Sequence, residues 1–179
     1  MPQPPSNIVL IGMPGAGKST LGVILAKLAA LQFVDTDILL QTALQRSLQD
    51  IVDRDGYMAL RQAEEQVLLE LTVHNAVIAT GGSAVYSRRA MTRLKSDGLV
   101  VFLDLPLAVL ETRIRNYSTR GLAKPPEQSF ADMFQERRPL YSRYADITLA
   151  PAGLTQEEVC GQIMAQVRTR LSGFQSRQR

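Results

Sequence analysis

Tryptophan is missing from the 179-residue chain, and cysteine and histidine occur once each, as Cys160 and His74. A single cysteine cannot close an internal disulfide, so a reducing cytoplasm is the expected setting. Cys160 falls on the apolar face of a predicted helix, a position for core packing and not for reactivity. His74 ends another predicted helix and reads as surface. No apolar run approaches the ~20 residues that a membrane span requires. The start, Met1 to Ser6, has neither the basic nor the apolar part of a secretory leader. Charge of one sign is also scarce, with a formal net of +3. That excess is too small to argue for nucleic acid, and no aromatic residues interleave with the basic ones to form a single-strand groove. Repeats, low-complexity tracts and long linkers are absent, so residues 1–179 read as one α/β domain. With no exposed heptad or apolar stripe, a monomer is expected.

What is present starts with Gly12-Met-Pro-Gly-Ala-Gly-Lys-Ser19, which fits G-x-x-x-x-G-K-[ST] without a gap. An apolar run, Ile8 to Ile11, precedes it, and a stretch with helical apolar spacing, Thr20 to Ala30, follows. Strand, glycine loop and helix together make a phosphate site: backbone N–H groups turn toward one anion, and the helix N-terminus adds partial positive charge. Gly12, Pro14, Gly15, Ala16, Gly17, Lys18, Ser19 and Thr20 are the expected nucleotide-binding residues. Lys18 reaches the β- and γ-phosphates of ATP, and the Ser19 hydroxyl ligates Mg²⁺.

Further strands are predicted at Gln32–Asp35, Ala76–Thr80, Leu99–Asp104 and Asp146–Leu149. Helices are predicted over 38–44, 47–53, 57–74, 88–96, from Pro106 to near Asn116, 130–141 and 155–171. Thr155 and Glu158 form a capping box for the last of these. Five strands alternating with helices imply a parallel sheet covered on both faces, with ligands at the carboxyl ends of the strands. Asp35, Asp37, Gly81, Gly82 and Asp104 all fall at such ends. Asp35 and Asp37 alternate on extended backbone and so share one side. One of them suits Mg²⁺ and the other substrate hydroxyls, while helix capping is the plainer use of either. Asp104 closes an apolar strand in the Walker B manner, and spacing does not choose between it and Asp35 for the metal. Arg61 and Glu64, three apart on a helix, read on spacing alone as a surface ion pair. The stretch 117–127 has no periodicity and resembles a lid, with Arg120 placed to close over the γ-phosphate.

In this order the motifs resemble the shikimate kinase family of small P-loop kinases. They are the glycine loop, Asp35-Thr-Asp37, Arg61 with Glu64, Thr80-Gly-Gly82, Arg113 seven residues before Arg120, and Arg137-Arg-Pro-Leu-Tyr141. The likeness runs from about Asn7 to Leu171. It implies a three-layer P-loop kinase fold with strand order 2-3-1-4-5, a substrate-binding helical segment at about 36–62 and a mobile lid at about 113–127. It further implies that Asp35 assists the metal and that Asp37 holds the ring hydroxyls of the acceptor. Arg61 and Arg137 would grip the acceptor's carboxylate, and Gly81 and Gly82 would let the ring approach the backbone. Arg113 would lie against adenine, and Arg120 would reach both phosphate and substrate. Lys18, Asp37 and Arg120 are then the catalytic set.

The implied reaction is ATP- and Mg²⁺-dependent phosphorylation of a ring hydroxyl of a small polyhydroxy acid, with shikimate as first choice. A quinate- or gluconate-like acceptor, or a ligand-sensing module without catalysis, are the alternatives. Four positions depart from the family pattern: Ser83 stands for a third glycine, Val52 and Leu60 for phenylalanines, and Tyr57 for a glutamate. The lid reads Arg120-Gly-Leu-Ala where the family has Arg-Pro-Leu-Leu. The expectation is an acceptor pocket whose polar anchors are intact and whose walls are altered.

Overall fold

The computed structural model describes residues 5–114 and 121–176. A five-stranded parallel sheet forms its centre, in the order β2-β3-β1-β4-β5. The strands are β1 (Asn7–Ile11), β2 (Gln32–Asp35), β3 (Ala76–Ala79), β4 (Gly98–Leu103) and β5 (Ile147–Leu149). β1 lies at the middle, with Val9 registered against Ile78 on one side and Val100 on the other. All five of its residues are buried. That fits its unbroken apolar run, since a central parallel strand is covered on both faces and has no reason to alternate.

The helices are α1 (Lys18–Ala29), α2 (Thr36–Leu44), α3 (Leu48–Asp55), α4 (Tyr57–Glu70), α5 (Arg88–Ser96), α6 (Leu107–Arg113), α7 (Phe130–Tyr144) and α8 (Gln156–Ser176). α8 packs along α1, and the fully buried Cys160 puts its Sγ toward the Leu21 carbonyl, so its place is in the core. Thr155 and Glu158 form the expected reciprocal cap ahead of α8. Among the described residues no helix is long and apolar enough to cross a membrane.

Two differences from the sequence reading bear on the site. α4 stops at Glu70 and not at His74, and the backbone turns extended at Leu71 before Asn75 adopts a left-handed conformation that feeds β3. Leu71 and Val73 still pack on the main core, which is why their apolar spacing mimics a longer helix. A short 3-10 turn, Ala84–Tyr86, follows β3. Three residues are too few to show a period.

There are two apolar cores. The main one fills both faces of the sheet. A smaller one gathers Leu40, Ile51, Leu60 and Ala123, with Val52 partly buried against it. It ties α2, α3 and α4 to residue 123 of the lid.

Candidate active site

The glycine loop needs conformations that a side chain resists. Gly15 and Gly17 have φ of +83° and +89°, and Gly17 caps the start of α1. Left-handed backbone at these two places turns the loop N–H groups inward, and only glycine reaches it without strain. Lys18 folds back over the loop: its Nζ donates to the Gly12 carbonyl at 2.8 Å and to the Met13 carbonyl at 3.0 Å. Burial lowers the Lys18 pKa to about 8, against the opposing pull of the Asp37 charge. The ammonium is thus held by carbonyls that a phosphate can replace.

From this loop a cavity of about 700 Å³ extends to Gly121, Leu122 and Ala123. Pro14 to Thr20 line it, together with Asp37, Glu64, Gly82, Ser83, Arg113 and Arg137. The phosphate cradle and three of the expected acceptor residues, Asp37, Gly82 and Arg137, therefore open into one space, while Arg61 and Gly81 are not among its lining residues. Gly12 supports the cradle from below by holding Lys18.

Asp35 caps α2. Its Oδ1 accepts the backbone N–H groups of Asp37 at 3.0 Å and Ile38 at 3.2 Å. The plainer reading of Asp35 is thus realised through Oδ1, while Oδ2 takes no hydrogen bond among the described residues. Asp104 is engaged elsewhere, because the Arg138 guanidinium takes both of its oxygens, at 3.0 and 2.8 Å. The Walker B look-alike belongs to a fork-to-fork ion pair.

Arg61 and Glu64 do not form the surface ion pair that spacing suggests. Glu64 is buried and faces Asp37 across Gly81. A Cβ on Gly81 would lie well inside contact distance of Glu64 Oε1 and 2.7 Å from Asp37 Oδ1. Neither Asp37 Oδ1 nor Glu64 Oε2, both buried, has a hydrogen-bond partner among the described residues. Burial, and then the charge of Asp37, raise the Glu64 pKa to about 8. The Asp37 pKa is also raised, by burial, with Lys18 opposing.

The two expected clamp arginines meet at the lid. Arg61 Nε donates to the Ala123 carbonyl at 3.1 Å, and Arg137 Nη2 donates to the same oxygen at 2.9 Å. The Arg61 guanidinium lies 3.7 Å from the centre of the Tyr86 ring, and Arg137 Nε donates to the Tyr86 hydroxyl at 3.3 Å. Arg137 is 1% exposed, so its burial is a deliberate feature of the fold and not a surface charge. It sits against Gly82, where a Cβ would come within 2.9 Å of Arg137 Nη1 and 3.1 Å of Pro14. Tyr141 stacks on Phe102 and donates its hydroxyl to the Gly82 carbonyl at 2.6 Å. Burial pushes this phenol up to about 12, so it remains a donor.

Arg113 ends α6 with its guanidinium Nη1 about 4.0 Å from where a Gly17 Cβ would be, over the glycine loop itself. Beyond the undescribed residues, Gly121 N–H donates to Gln49 Oε1 at 2.7 Å. Arg120 lies outside the described residues. Of the four departures, Ser83 lines the cavity and Val52 and Leu60 do not; they pack into the smaller core. Tyr57 stands 5.2 Å from the Arg61 guanidinium. The altered positions that line the cavity are thus Ser83 and, from the Arg120-Gly-Leu-Ala stretch, Gly121 and Ala123.

Sequence reasoning missed Gln49, Tyr86 and the Ala123 carbonyl. Backbone carbonyls carry no residue signal, and Tyr86 acts from a turn too short to read. Glu64 was visible at its spacing but pointed to the wrong partner.

The chain matches the family model described as shikimate kinase over residues 14–168. The shikimate kinase of Rippkaea orientalis is 38% identical over 167 residues, covering 91% of this chain and 88% of its own. A shikimate kinase from Acinetobacter baumannii, solved in complex with shikimate, superposes with a TM-score of 0.85 at 31% identity, covering 93% of this chain and 94% of that one. The enzyme from Aquifex aeolicus gives 0.76 at 32% identity, covering 93% and 99%. With the family model matched over most of its length and a relative 38% identical across nine-tenths of it, the chain belongs to the shikimate kinase family.

Proposed function

We propose that the protein transfers the γ-phosphoryl group of ATP to a ring hydroxyl of shikimate. The observation that carries this reading is the shared cavity, with Lys18 and the glycine loop at one side and Asp37, Glu64 and Arg137 at the other. In the reaction the substrate oxygen attacks the γ-phosphorus, the bond to the β-phosphate oxygen breaks, and ADP leaves. Asp37 receives the hydroxyl proton, for which an ionised carboxylate with an unpartnered oxygen is suited. Lys18 exchanges its two carbonyl partners for phosphate oxygens, and its charge offsets that of the transferring group. Arg61 and Arg137 exchange the Ala123 carbonyl for the acceptor's carboxylate, which a pair of planar forks fixes in orientation as well as in charge.

Mg²⁺ fits the residues present. Ser19, at the head of α1, lines the cavity, and Asp35 keeps an oxygen with no hydrogen bond among the described residues; both offer the hard oxygen donors this ion prefers. We assign it to Ser19 and Asp35 and not to Asp104. When bound there, the ion would supply positive charge to offset that of the phosphates. Arg113, with Pro151 and Leu154 on the facing wall, offers the adenine a cation and an aliphatic surface. Residues 36–62 serve as the acceptor segment and 113–127 as the lid, with Arg120 assigned to the transferring phosphoryl group. The same reading sets the protein in the cytoplasm, where ATP is supplied and a buried thiol such as Cys160 stays reduced. It acts as a monomer, because one chain supplies both walls of the cavity.

The test is ADP release from Mg-ATP with shikimate, quinate or gluconate as acceptor. Fast turnover with shikimate and slow turnover with the other two supports the reading. Turnover that needs no acceptor, or prefers another acid, rejects it.

A further inference from the structure

One buried polar group has no role in this scheme. Ser83 is 4% exposed, and its Oγ takes no hydrogen bond among the described residues. Its backbone is not at fault: φ is −94° and ψ is 0°, and its carbonyl is used by the Tyr86 N–H at 3.0 Å. A buried hydroxyl without a partner is unfavourable in a native fold and calls for a ligand or an ordered water. Ser83 also lines the cavity. The two residues before it already face side chains of the site, Gly81 those of Asp37 and Glu64, and Gly82 those of Arg137 and Pro14. The third member of this run therefore borders the volume between the carboxylate pair and the buried guanidinium.

We propose that the Ser83 hydroxyl is a specificity-determining contact that hydrogen-bonds a ring hydroxyl of the acceptor other than the one phosphorylated. This deepens the kinase reading and rests on it. A hydroxyl can donate or accept by rotating, so it suits a ring carbon bearing an OH, and it would leave a CH₂ at that carbon unserved. Discrimination of this kind is strong because the deleted partner leaves a buried polar atom unpaired.

The test compares the wild type with Ser83→Ala, a change that this ordinary backbone conformation accepts. Shikimate is assayed beside 4-deoxyshikimate and 5-deoxyshikimate. In the wild type one deoxy analogue should show a KM about five- to tenfold above that of shikimate through this contact. In Ser83→Ala the KM for shikimate should rise to about that level, and the same analogue should lose its disadvantage. The KM for ATP and the Tm should stay put, and shikimate titrated into the ADP complex should report the same loss in affinity. Equal KM values for shikimate in both proteins, or an unchanged penalty for both analogues in Ser83→Ala, would overturn the proposal while leaving wild-type turnover, and so the kinase reading, intact. A wild type that turns over no shikimate would reject the kinase reading and this contact with it.

Discussion

Arg61 and Arg137, from two different helices, donate to one oxygen, the carbonyl of Ala123, at 3.1 and 2.9 Å. Two cations converging on a neutral carbonyl mark a place where an anion would be better held. The acceptor's carboxylate is the candidate, and its arrival must free the lid's end from the arginines.

Arg61→Ala and Arg137→Ala should therefore each raise the KM for shikimate by about 10- to 100-fold, the value of one charge-assisted contact. The KM for ATP should change by no more than about twofold, since the triphosphate cradle is untouched. The double variant should fall short of the product of the two, because both act on one group. Steady-state kinetics with each substrate varied in turn measures all three.

Lys18 and Glu64 set the pH dependence of ATP capture. Both have pKa values of about 8, Lys18 lowered by burial and Glu64 raised by burial and then by Asp37. Below that pH Lys18 is an ammonium and Glu64 is neutral. Above it Lys18 loses a positive charge and Glu64 gains a negative one, and both changes repel a triphosphate. The kcat/KM for ATP should thus fall above pH 8 with a slope approaching two protons. In Glu64→Gln, neutral throughout, the fall should soften toward one proton while activity at pH 7 is largely kept. An equally steep fall in that variant would contradict the assignment.

Much of this was legible in the sequence. β2 and α5 run where their spacing placed them, and the strand order is the one that the family resemblance implied. What was not legible depends on partners far away in the chain. Asp104 looked equal to Asp35 as a metal ligand until Arg138, 34 residues on, took both of its oxygens. Glu64 looked like a partner of Arg61 because i,i+3 spacing is the only geometry a sequence displays; β3 and its glycines decide otherwise. Val52 and Leu60 were expected in the acceptor pocket, yet the lid's Ala123 closes a small core around them.

Gly121 should be the lid's least tolerant position. Its φ is +60°, and a Cβ there would run into the backbone of Leu48 and Gln49. Gly121→Ala should lift the lid's end off α3, costing the bond to Gln49 and lowering kcat/KM for shikimate by about tenfold or more. The Tm should barely move, because the main core takes no part. A thermal scan beside the kinetics separates a lid defect from a folding defect.

Tyr141→Phe keeps the stack on Phe102 but leaves the Gly82 carbonyl without its donor. It should cost about 1–2 kcal/mol of stability, read as a fall in Tm of a few degrees. Activity should fall as well, since Gly82 separates Arg137 from the glycine loop.

Phosphate cradle and acid pocket adjoin, so the phosphoryl group should pass straight from ATP to the acceptor with no protein-bound stage. Transfer from ATP made chiral at the γ-phosphorus with three oxygen isotopes tests it most directly. A single in-line displacement predicts inverted configuration in the phosphorylated acid. Retention would reveal two displacements through a phosphorylated residue, and would contradict the account.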